Sequence, residues 1–142
     1  MLCDCAYRPH EPRSWDQRHA FGAGLGWRDD RWQLDAALTW HSGWPTTAIE
    51  LVATEPIAVA EASPRNSSRL GSYFTLDLRA ARHFAFERSL LTVYLEITNA
   101  TNRRNDCCVE YEFNTEEGEP ALELQTTPYL TVLPNLGLVW EF

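Results

Sequence analysis

Five segments of this chain alternate apolar and polar residues with a period of two, so each reads as a half-covered β-strand. In residues 19–27, Phe21, Ala23, Leu25 and Trp27 share one face and Gly22, Gly24 and Gly26 the other. In residues 31–41, Trp32, Leu34, Ala36, Leu38 and Trp40 oppose Gln33, Asp35, Ala37, Thr39 and His41. Residues 73–86 set Phe74, Leu76, Leu78, Ala80, Phe84 and Phe86 against Thr75, Asp77, Arg79, Ala81 and His83. Residues 91–97 set Leu91, Val93, Leu95 and Ile97 against Thr92, Tyr94 and Glu96. The last segment, Leu136 to Phe142, ends with Trp140 and Phe142 on one face and no polar tail to cover them. A barrel strand in an outer membrane ends this way because that face looks at lipid.

The connections sort by length. Residues 28–30 and 87–89 form tight turns, whereas residues 42–72 and 99–135 are long, the second expected to hold a hairpin of 108–113 with 122–129. Alternating short and long connections are a property of transmembrane barrels, with short turns on the periplasmic side. On that orientation Trp27, Trp32, Phe84, Phe86, Trp140 and Phe142 fall near the periplasmic interface, and Trp40, Trp44, Tyr73 and Phe74 near the outer one. Arg82 interrupts the apolar face near a strand end, where a long cation can snorkel to an interface. The expected fold is all-β: an antiparallel up-and-down meander of about five main strands plus a loop hairpin, an open segment of a transmembrane β-barrel.

Composition is consistent with this and narrows the partners. Hydrophobic residues make up 44% of 142, close to a globular average, because a barrel strand carries its lipid face in every second position. No run of eighteen apolar residues occurs, which excludes a transmembrane helix. The net charge of -8 argues against nucleic acid, which wants a basic stripe. Glu110, Glu112, Glu116, Glu117, Glu119 and Glu123 read as a solvated acidic loop. The cysteines form two close pairs, Cys3/Cys5 and Cys107/Cys108, spaced too tightly for an ordinary zinc site. Disulfides are expected in an oxidising compartment, with the connectivity open.

Several stretches taken in order resemble the C-terminal barrel portion of TonB-dependent outer-membrane receptors. Pro12-Arg13-Ser14-Trp15-Asp16-Gln17-Arg18-His19 resembles the approach to a late strand, and His41-Ser42-Gly43-Trp44-Pro45-Thr46 the exit of the next. Arg65-Asn66 through Leu70, then Leu76-Asp77-Leu78-Arg79, resembles the following descending strand. Leu95-Glu96-Ile97-Thr98-Asn99 with Asn102-Arg103-Arg104-Asn105 resembles the strand and loop before the last extracellular hairpin, and Leu133-Pro134-Asn135-Leu136-Gly137 through Phe142 the closing strand. The resemblance implies energised uptake of a scarce ligand of the ferric siderophore, cobalamin or glycan class. It also implies a barrel of about twenty-two strands around a plug. Residues 1–142 hold about five strands, with no plug, TonB box or signal peptide legible, so the expectation is a C-terminal segment that is not transport-competent alone. The implied partners are outer-membrane lipid, the assembly machinery, and the strands and plug of a parent receptor. Gly137, Trp140 and Phe142 match the sorting signal that the assembly machinery reads, with Leu136 where a polar residue is usual.

Asp35, Asp77, Arg79, Glu96 and Glu141 lie on the non-apolar faces, without a nucleophile motif or phosphate loop beside them. They read as lumen salt bridges rather than general acids and bases, and no enzyme activity or cofactor is expected. His10, His19, His41 and His83 are scattered, which disfavours a shared metal site. The competing readings are a small soluble β-sheet domain that binds a ligand or partner, and a small barrel assembled from several copies.

Overall fold

The computed structural model describes residues 12–53, 58–116 and 119–142. Among these the chain forms eleven strands and no helix: β1 (Ala20–Arg28), β2 (Trp32–His41), β3 (Pro45–Thr46), β4 (Ile49–Ala53), β5 (Val59–Ala62), β6 (Ser68–Arg69), β7 (Tyr73–Ala85), β8 (Leu90–Thr98), β9 (Asp106–Glu116), β10 (Glu119–Pro128) and β11 (Leu133–Glu141). The five segments with period-two alternation become one antiparallel sheet in the order β1-β2-β7-β8-β11. Strands that follow one another among these five are neighbours, so the sheet is a simple meander. Its outer strands each pair on one side only, and the sheet does not close.

The register brings the alternating faces into line. Trp27 pairs with Leu34, Leu34 with Ala80, Ala80 with Leu95 and Leu95 with Leu136, one apolar row across all five strands. The adjacent row of opposite parity runs Gly26, Asp35, Arg79, Glu96 and Asn135. A slip of one residue at any strand would exchange these two faces. The terminal strand begins at Leu133 rather than Leu136, because Leu133 to Asn135 continue the ladder against Thr98 to Glu96.

Short turns lie at one end of the sheet. Between β1 and β2 the Asp29 carboxylate accepts the backbone N–H groups of Arg31 at 2.7 Å and Trp32 at 2.6 Å. These bonds hold its pKa below the ordinary carboxylate value. A depressed folded-state pKa contributes stability above the unfolded carboxylate range, and that contribution is lost as pH falls through the folded pKa. Asp29→Ala should therefore weaken the β1–β2 hairpin at neutral pH, with the difference from the parent shrinking below about pH 4. Amide exchange of β1 at pH 7 and pH 3 measures it; a penalty that persists unchanged at pH 3 would contradict the turn geometry.

The long connections at the other end are structured. The predicted hairpin of the second forms as β9 and β10, longer than expected, with Phe113 opposite Leu122 and Cys108 opposite Thr127. The first connection holds β4 paired with β5 and β3 paired with β6, which the sequence left as an undivided segment. The acidic stretch is not a loop. Glu110, Glu112 and Glu123 are exposed on the arms of the β9–β10 hairpin, whereas Glu117 lies outside the described residues. Glu112 and Glu123 are direct cross-strand partners. Like charges so placed repel. Two amides offset this: Gln125 donates to Glu112 at 3.0 Å and Asn114 to Glu123 at 2.9 Å.

Candidate functional site

Few side chains of this fold are buried. Among the described residues the one buried hydrophobic side chain is Ala81, 1% exposed, and it belongs to the polar face. The buried polar residues are His41, Asn66, Thr75, Asn99 and Asn105. The large apolar side chains of the opposite face stand open, with Leu25 78%, Leu136 73%, Leu138 69% and Trp140 62% exposed. This face is continuous over five strands, and among the described residues no helix or second sheet covers it. Fully covering one Leu or Phe side chain yields roughly 1.5–3 kcal/mol. Leaving the whole face in water forgoes an amount on the order of the 5–15 kcal/mol total stability of an ordinary domain. Such a face is built for an apolar cover.

Aromatic residues mark its two ends. Phe21, Trp40 and Phe74 form one cross-strand row towards the long connections. Phe84 pairs with Leu91 and Leu91 with Trp140 towards the short turns, where Phe86 and Phe142 are also exposed. Arg82 lies on this apolar face, its guanidinium carbon 5.2 Å from the Trp32 ring centre and 5.0 Å from that of Phe84. The rings flank the cation at the sheet end, the geometry in which Arg tolerates an apolar surface.

Two aromatics assigned to the outer girdle belong elsewhere. Tyr73 has the parity of the polar face, and Trp44 lies beyond β2 where the chain leaves the sheet. His41 stacks on Tyr73 at 4.7 Å and on Trp44 at 5.2 Å, and Tyr129 meets both Trp44 and Tyr73 edge-on. The four rings close the polar side of the sheet at its long-connection end. His41 Nδ1 donates to the Ser42 carbonyl at 2.9 Å, which turns the ring into this stack.

The polar face carries a connected lattice. Arg79 donates to Glu96 at 2.9 Å, and Asn135 donates to the other Glu96 oxygen at 3.3 Å. The Arg79 guanidinium also lies 4.6 Å from the centre of the Tyr94 ring. Tyr94 in turn covers its cross-strand partner Gly137, where a Cβ would overlap the ring. Gly137, singled out as part of a sorting signal, thus also leaves room for the Tyr94 ring. Trp140 and Phe142, its companions in that signal, are exposed on the apolar side. Asp35 accepts from Gln33 at 2.8 Å, and Asp77 accepts the Asn99 backbone N–H at 2.8 Å.

The sequence stretches that carry the family resemblance converge at the long-connection end. Arg69 donates to the Asp16 and Gly43 carbonyls at 2.9 and 3.0 Å and pairs with the Asp16 carboxylate at 2.5 Å. Gly43 lies so close to the Leu70 backbone that any Cβ would collide with it. Asn66, at φ 57°, donates its backbone N–H to Thr47 Oγ1 at 3.0 Å and its side-chain amide to the Pro12 carbonyl at 2.6 Å. Asn105 takes the place of a missing strand partner for Phe74, accepting its N–H and donating to its carbonyl, both at 2.8 Å. These buried asparagines lie in stretches that carry the resemblance, although nothing in the sequence pattern foretold their burial.

Among the described residues no group of three or more His, Cys, Asp or Glu side chains could hold a metal ion. His41 and His83 lie at opposite ends of the sheet and His19 is exposed; His10, Cys3 and Cys5 lie outside the described residues. Neither a family model, a curated protein nor a solved structure matches the chain.

Proposed function

We propose that this chain is a segment of the membrane barrel of a TonB-dependent outer-membrane receptor. Its apolar face meets lipid and its Arg79–Glu96–Asn135 lattice looks into the barrel lumen. The observation that carries this reading is the exposed apolar face, broken by Arg82 at one end, bounded by aromatic rows and backed by a polar face. A membrane barrel needs that inside-out arrangement, and a water-soluble sheet cannot sustain it. The sorting of short and long connections to opposite ends supports the same orientation. The unpaired edges of β1 and β11 would meet further barrel strands, because an edge left open in lipid strands its backbone polar groups. Uptake of a siderophore-, cobalamin- or glycan-class ligand is the work of the whole receptor. This segment supplies wall, anchor and the rim of ordered connections, and no catalysis. Gly137, Trp140 and Phe142 would present the assembly signal on the closing strand.

The test is expression behind a secretory signal, followed by membrane fractionation and quenching by lipids that carry a spin label along the acyl chain. The chain is expected in the outer-membrane fraction, with emission from Trp27, Trp32 and Trp140 quenched by the labelled lipid. Recovery as a soluble, monomeric periplasmic protein that unfolds cooperatively would overturn the proposal. So would tryptophan emission that the labelled lipid leaves untouched.

A further inference from the structure

The β9–β10 hairpin holds a feature that the barrel reading does not use. Its antiparallel register runs without a break from Glu116 opposite Glu119 to Cys108 opposite Thr127, and the next pair is Asp106 opposite Pro128. Cys107 is therefore the extra residue of a β-bulge. Pro128 has no N–H to continue the ladder, which accounts for the break at this place. In a regular strand, neighbouring side chains point to opposite faces, so adjacent cysteines hold their sulfurs apart. At this bulge the Cys107 and Cys108 side chains turn toward each other, sulfur against sulfur. Cys108 is exposed and Cys107 partly so, which leaves the pair open to a reagent in solution.

We propose that Cys107 and Cys108 form a vicinal dithiol site that closes to a disulfide ring within the hairpin, by exchange with a small-molecule disulfide. The Cys108 thiolate attacks one sulfur of the donor disulfide, forming a mixed disulfide and expelling one donor thiolate. The Cys107 thiol loses its proton and attacks the Cys108 sulfur, which breaks the mixed disulfide and expels the second donor thiolate. Two protein thiols become one disulfide, one donor disulfide becomes two thiols, and the two protons end on the donor thiols. Cys108 is the first nucleophile because it is the more exposed of the two, and Cys107 is the second. The bulge matters because it holds the second sulfur against the first, so closure outruns attack by another donor molecule. The inference rests on the hairpin alone and stands or falls independently of the membrane assignment.

The experiment uses the full chain with Cys3→Ser and Cys5→Ser, folded in detergent micelles, treated with glutathione disulfide and followed by mass spectrometry. The expected product has lost two hydrogens, maps to the peptide containing Cys107 and Cys108, and keeps no glutathione. Closure should run at least about tenfold faster in the folded chain than in denaturing urea, where the bulge is gone. Adding Cys107→Ser should trap glutathione on Cys108. Accumulation of a doubly glutathionylated chain, of disulfide-linked dimers, or equal closure rates with and without urea would each overturn the proposal.

Discussion

Leu95→Arg is expected to cost about 2–4 kcal/mol of stability in a lipid bilayer, because a cation on the lipid face near mid-depth must be desolvated or must deform the membrane. Leu95 lies within β8, in the apolar row that runs from Trp27 to Leu136, and its side chain is 43% exposed. The same substitution on a water-facing sheet would change stability by no more than about 0.5 kcal/mol, since it removes no buried contact. The two readings of this face therefore differ by several-fold on one residue. Phe21→Arg, in the aromatic row at the long-connection end, serves as the depth control and should cost about 0–1 kcal/mol in lipid. Urea titration of the chain folded into phosphatidylcholine vesicles measures both. Equal, near-zero costs for Leu95→Arg and Phe21→Arg would remove the lipid assignment of this face.

The sheet was legible in the sequence because its information is local and repetitive. In β1, β2, β7 and β8 the alternation located the strands to within a residue at most ends, and their faces followed from parity alone. The error at β11 came from Pro134, which interrupts the apolar pattern but still fits at the start of an edge strand. The hairpin of β4 and β5 was missed for a related reason. Leu51 and Val52 place apolar residues on both faces, and the register shifts between Leu51 and Ala53, so no clean period exists to read. Trp44 and Tyr73 were assigned by their distance along the chain rather than by face. Parity would have put Tyr73 with Thr75 and His41. The polar rim was illegible for a deeper reason. Burial of Asn66, Asn99 and Asn105 depends on which carbonyls the topology brings to them from 30 or more residues away, and in one strand's sequence an asparagine reads only as a turn.

Asn99→Leu should be the most damaging single change at that rim, with an expected loss of about 3–5 kcal/mol. Asn99 is completely buried and sits at φ 51°, a left-handed conformation that asparagine tolerates and leucine does not. Its side-chain amide donates to the Arg103 carbonyl at 2.9 Å and to the Leu130 carbonyl at 3.1 Å. Its side-chain oxygen accepts the Arg103 N–H at 3.2 Å and the Thr101 hydroxyl at 3.3 Å. Leucine would remove all four bonds, at about 1–3 kcal/mol for each buried group that stays unsatisfied. The loss should spread beyond residue 99, because the bond to Leu130 ties the far end of the β9–β10 connection to the end of β8. Asn99→Gly separates the two contributions: it restores the backbone freedom while still deleting the four side-chain bonds. It should therefore recover roughly 1 kcal/mol and no more. Urea unfolding reports the stability, and limited proteolysis reports the place, with new cleavage expected between residues 99 and 132 while β1 and β2 stay protected. If Asn99→Gly restored full stability, the backbone conformation alone would account for this residue and the hydrogen-bonded tie would not.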